Sequence, residues 1–160
     1  MQNAKIFKKG FGIIEIVIAT SIISIAFLAM MSTANMSLKF SGKSALRLKA
    51  DFLLEEGVEV VKIIRDNGWQ ANIASLTMGT NYFLEFNGTT WLASANNFLI
   101  DDVFERKFIV DNVYRDINDD IFSSGVLDPN TKKITAYVSW PEDGSTVTKS
   151  ISFYISDIFN

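Results

Sequence analysis

The sequence predicts an α+β protein in which one long N-terminal α-helix precedes a small antiparallel β-sheet. Three observations carry this expectation. No proline occurs between residues 11 and 67, so nothing there removes a helical hydrogen bond. Apolar residues in the later part of that stretch recur at three- and four-residue steps. After Gly68 the period shortens to two, and Gly, Asn and Asp clusters separate runs rich in β-branched and aromatic residues.

Four pieces follow in order. Residues 1–10 form a short polar leader containing Lys5, Lys8, Lys9 and no acid. Residues 11–38 are the transmembrane half of the helix. Ile16 to Leu38 carries no charge over 23 residues, and about 20 apolar residues suffice to cross a bilayer. Residues 39–67 are its amphipathic half. Leu46, Ala50, Leu53, Leu54, Gly57, Val58, Val61 and Ile64 make an apolar stripe, with Lys49, Glu55, Glu56, Glu59 and Lys62 mostly directed elsewhere. Glu59 reaches Lys62, and Arg65–Asp66 reads as a helix-end ion pair. Both halves form one helix of roughly 85 Å at 1.5 Å per residue, with Ser41-Gly42 its soft spot and Asn67-Gly68 its end.

Residues 68–160 make an antiparallel β head. "NYFLEF" (81–86) and "TTWLA" (89–93) flank Asn87-Gly88, a strong hairpin signal. "FERKFIVDNVYR" (104–115) is a long strand with a bulge expected near Asp111-Asn112. "KKITAYVSW" (132–140) and "STVTKSISFYIS" (145–156) flank a turn at Pro141-Glu142-Asp143-Gly144. Ile134, Ala136, Val138 and Trp140 share one face; Thr135, Tyr137 and Ser139 share the other. A meander covered on one side by the helix stripe buries both apolar faces.

Composition narrows the function. At 160 residues the chain has no room for two large domains. It contains neither Cys nor His, which removes disulfides, thiolate metal sites and the commonest general base. Beyond the leader, 12 Lys and Arg stand against 18 Asp and Glu, an acidic balance that argues against nucleic acid as primary ligand. A basic start before an apolar run stays in the cytoplasm while the rest crosses.

Glu15 interrupts an otherwise uniform anchor, and a carboxylate in such a segment is costly enough to imply a partner. Three readings compete. A cleaved signal peptide with a small-residue site at Ser32-Thr33-Ala34 is opposed by the length of the apolar core and by Glu15. A plain signal anchor tolerates Glu15 near the cytoplasmic boundary. The third rests on "KKGFGIIEIVIA", which resembles the processing site of type IV pilins and of the pseudopilins of type II secretion and competence systems.

That resemblance covers residues 5 to about 38. It implies that a prepilin peptidase cuts after Gly10 and N-methylates Phe11, with Glu15 four residues beyond. It also implies a pilin-like fold, the second half of the helix lying on the sheet. The precursor would wait in the cytoplasmic (inner) membrane with its head outside, then join copies of itself or other pilins in an extracellular or periplasmic filament. A separate assembly ATPase and platform protein would drive this, since the chain has no P-loop. Glu15 would pair with the freed Phe11 amine, within one chain or between neighbours. Two departures leave the filament type open: Ser32-Thr33 stands where many major pilins carry a kinking Pro, and the disulfide loop is absent for want of Cys. The alternative is a membrane-anchored extracellular binding module that never polymerises.

The remaining candidates are weaker. Asp116, Asn118 and Asp120 open like an EF-hand, but Ile121 replaces the required Gly and Leu127 the closing Glu. The expectation is a solvated turn; a looser calcium site with Asp119 or Asp128, as in some pseudopilins, is the alternative. Phe83, Phe86, Trp91, Tyr114, Tyr137, Trp140 and Phe153 could line a groove, though at strand spacing they read as core or subunit contacts. No catalytic residue, metal or cofactor is assigned, and an enzyme is not expected.

Overall fold

The computed structural model describes residues 12–158. Helix α1 runs from Ile13 to Asp66 and passes through Ser41-Gly42 without interruption. The chain divides between Ser44 and Ala45 into two compact units. In the first, every described residue from Gly12 to Gly42 is exposed.

The second unit begins inside α1 and contains the whole sheet. Its strands are β1 (Tyr82–Phe86), β2 (Trp91–Ser94), β3 (Leu99–Ile100), β4 (Phe104–Arg115), β5 (Ile121–Phe122), β6 (Val126–Glu142) and β7 (Ser145–Ser156). The antiparallel order is β2-β1-β4-β6-β7, with β3 and β5 pairing short stretches of β4. An α+β layout follows directly: a long apolar N-terminal helix, then an antiparallel sheet.

The C-terminal part of α1 covers one face of this sheet. Ala50, Leu53, Gly57, Val60, Val61 and Ile64 are its buried residues. Val60, Val61 and Ile64 pack with Leu84, Phe108, Val110, Ile134 and Ile155, while Ala50 and Leu53 meet Phe104, Val138 and Trp140. Each aliphatic side chain so buried contributes about 1.5–3 kcal/mol. Val60 is absent from the stripe read from sequence, and Val58 is only half-buried. A 3.6-residue period leaves adjacent positions on a stripe's border ambiguous, and the sheet's contour decides between them.

Beyond Asp66 the chain turns at Gly68 into a π-helical turn, Gln70–Ala74, that the sequence did not announce. Asn72 donates from Nδ2 to the Ile64 carbonyl at 3.3 Å, occupying an acceptor the helix end leaves open. Ile73 and Trp69 close the core at this end.

Both hairpins form, with corrected turns. Phe86 pairs with Trp91, so residues 87–90 make a four-residue loop and Thr89 and Thr90 are not strand. The Asn87 carboxamide explains this: its Oδ1 accepts from the Thr89 and Thr90 amides at 3.0 and 2.9 Å. At the second hairpin, Pro141 and Glu142 are strand residues paired with Thr146 and Ser145. The turn is therefore the dipeptide Asp143-Gly144, with φ of 52° and 77°, the left-handed pair that a tight hairpin demands.

The expected irregularity near Asp111-Asn112 is real, but the extra residues lie on the partner strand. Asn112 pairs with Lys132 and Val113 with Asp128, leaving 129–131 unmatched. Pro129 sits there because it has no amide to give the ladder.

Among the described residues, two charged ones are buried in the sheet: Lys132, which donates to Asn112 Oδ1 at 2.8 Å, and Arg106. Arg106 follows Phe104 and precedes Phe108 on the buried side of β4, only 5% exposed. Its guanidinium reaches Glu56 at 2.8 Å and the Leu53 carbonyl at 3.4 Å, and stands 5.8 Å from the Trp91 ring. Gly57 makes room for the stem, since a Cβ there would stand 3.3 Å from Arg106 Cδ and 3.7 Å from Leu84 Cδ1. Replacing Gly57 with Leu forces the helix off the sheet. We expect Gly57→Leu to lower unfolding free energy by about 1–3 kcal/mol in chemical denaturation of the full chain in detergent.

Candidate assembly site

Glu15 lies in the first turn of α1, where the helix dipole favours an anion. Its amide donates to the Gly12 carbonyl at 3.0 Å, so the backbone is already helical there. The side chain is exposed, and among the described residues none forms an ion pair or hydrogen bond with its carboxylate. Gly10 and Phe11, the residues expected to be cut and methylated, lie outside the described residues.

Four hydroxyls of this segment behave differently. Thr20 and Ser21 hydroxyls donate to the Val17 carbonyl at 3.1 and 2.7 Å, Ser24 to Thr20 at 2.8 Å and Thr33 to Ala29 at 2.9 Å. Each satisfies itself within the helix and demands nothing from its surroundings. Between them stand Ile18, Ile22, Ile25 and Phe27, each more than half exposed. The small residues Gly12, Ala19, Ser21, Ser24, Ala26, Ala29 and Ala34 leave shallow places where another helix could approach. By length and composition α1 can cross a membrane. Among the described residues up to Leu38, Glu15 is the one that carries a charge.

In the head, the acidic loop after β4 is internally committed. Asp116 Oδ1 accepts from the Asn118 and Asp120 amides at 2.8 and 3.0 Å. Arg115 donates to Asp128 at 2.6 Å and to the Asp119 carbonyl at 2.8 Å. Gly125 passes so close to β4 that a Cβ would overlap the Arg115 carbonyl. Among the described residues, no three acids converge as a cation site would require. Nothing in the spacing of Arg115 and Asp128 marked them as partners; the looped-out residues 129–131 set that register.

The aromatic candidates do not share a groove. Trp140 is buried beside Phe104, ring centroids 6.2 Å apart, and Phe86 rests on Trp91 at 5.3 Å. Phe83 and Tyr137 belong to the opposite face of the sheet. Tyr114 instead joins Ile121, Phe122, Tyr154, Asp111 and Lys133 around a shallow depression of about 570 Å³.

No family of proteins, no curated protein and no solved structure matches this chain. The residues themselves therefore carry the functional reading.

The Arg115 hydrogen bond holds the Asp128 carboxyl below its usual range, helped by the Asn130 amide. Its stabilising contribution is complete above the unfolded value of about 4 and disappears as pH falls through the lower native value. Asp128→Asn should be less stable than the parent at pH 7. The difference should shrink as pH falls below about 4 in paired thermal melts.

Proposed function

We propose that this chain is the precursor of a type IV pilin-like subunit, a structural protein of a pilus or of a secretion-type pseudopilus. In this reading a prepilin peptidase removes residues 1–10 and methylates Phe11. The subunit waits in the cytoplasmic membrane with its head outside and polymerises through α1. The observation that carries the reading is the exposed apolar surface of α1, self-satisfied in every hydroxyl named above and carrying one carboxylate at its start.

Physical chemistry supports a role for that carboxylate in register. In a packed helical core the charge on Glu15 is tolerated only beside a cation, and cleavage at Gly10 creates one at Phe11. Stranding one member of such a buried pair costs about 3–5 kcal/mol. A subunit entering out of step pays this cost at once, so the pair sorts registers more than it adds adhesion. A head that is only tethered would need neither the cut nor the carboxylate.

Mass spectrometry of the mature protein should find methylated Phe11 at its N-terminus. A retained leader, or release near Ala34, would favour the tethered or secreted alternatives instead. Glu15→Leu should still be cut after Gly10, yet enter sheared filaments at least about tenfold less than the parent. Normal incorporation of that variant would sink the pairing.

A further inference from the structure

Strand β7 ends the sheet, and among the described residues no strand pairs with its outer edge. It is 12 residues long and matches β6 without a register break from Ser145 to Ser156. At about 3.4 Å per residue it presents roughly 40 Å of unpaired amides and carbonyls. Proteins ordinarily blunt such an edge with proline, bulges, short strands or uncompensated charged side chains. This one has no proline and no bulge, and its one lysine, Lys149, is turned to Asp51 on α1 at 2.6 Å. The opposite edge, β2, has only four residues.

A groove of about 430 Å³ runs beside this edge, between β7 and α1. Leu54, Val58 and Ile151 form its apolar floor, and Asp51, Glu55 and Glu59 form its rim. Asp51 is held by Lys149 and Glu59 by Lys62, while Glu55 has no partner among the described residues. Open backbone, an apolar floor and an acidic rim therefore lie side by side.

We propose that β7 is a strand-addition site for an extended segment of another protein, with Lys or Arg at every second position. The incoming backbone pairs with β7. On its helix-facing side, each Lys or Arg lays its methylene stem over Leu54, Val58 and Ile151 and delivers its charge to Glu55 and Glu59. Charge opposes antiparallel pairing with a second copy of this chain. Antiparallel β7–β7 pairing places both helices on the same face, so two acidic rims would meet across the seam. The site is independent of Glu15 and of cleavage at Gly10.

The test uses the full chain in detergent micelles and a capped decapeptide of alternating Lys and Thr. Two further peptides carry N-methyl groups on all Lys or on all Thr residues. Methylation keeps charge and composition but blocks backbone donation from one edge of the strand. The parent peptide should bind saturably and slow hydrogen exchange in β7. One methylated form should bind as the parent does and the other at least tenfold more weakly. Glu55→Gln with Glu59→Gln should weaken the parent peptide at least tenfold while leaving the thermal midpoint unchanged. Three results would overturn the proposal: no binding, equal binding of all three peptides, or β7 already protected in the free protein by self-association.

Discussion

From Ala50 to Ile64, one side of α1 leaves water by lying on the sheet, and the rest of the fold depends on that contact. It selects which face of β4 and β6 is apolar. It places Gly57 opposite Arg106, and it brings Asp51 to Lys149, Arg47 to Glu142 and Lys49 to Asp101. Those ion pairs are largely exposed and individually worth little. They orient the helix across the strands, while the aliphatic contacts hold it there.

Up to Gly42 the same helix carries apolar side chains that nothing among the described residues covers. A surface of that size does not persist in water, because each exposed aliphatic group forgoes the stabilisation that its counterparts in the head obtain. By length and composition this part of α1 can cross a membrane. The self-bonded hydroxyls of Thr20, Ser21, Ser24 and Thr33 suit any apolar environment. Glu15 does not, and a bilayer and a helical core would treat it differently.

Arg106 and Glu15 show contrasting solutions for a charge beside apolar residues. Arg106 is buried, and its stem, its ion pair with Glu56 and the Trp91 ring together accommodate it at the margin of the core. Glu15 is exposed with no described partner, so its accommodation must come from elsewhere. A buried and paired charge belongs to the fold.

Local chemistry was enough to write much of this protein from its residues. The proline-free stretch, the uncharged run, the presence of the two hairpins and the Ile134–Trp140 alternation each act over a few neighbouring positions, whereas the lengths of both turns emerged only from the strand pairing. Tertiary structure alone decided the rest. Val60 belongs to the core because Leu84, Phe108, Val110 and Ile134 pack in one cluster with it. Arg106 can occupy a core-face position because Gly57 and Glu56 happen to oppose it. Arg115 meets Asp128 because Asn130 and its neighbours loop out of register. The open edge of β7 exists only once strand order is known, since an edge is a place with no neighbour and no sequence window can display that.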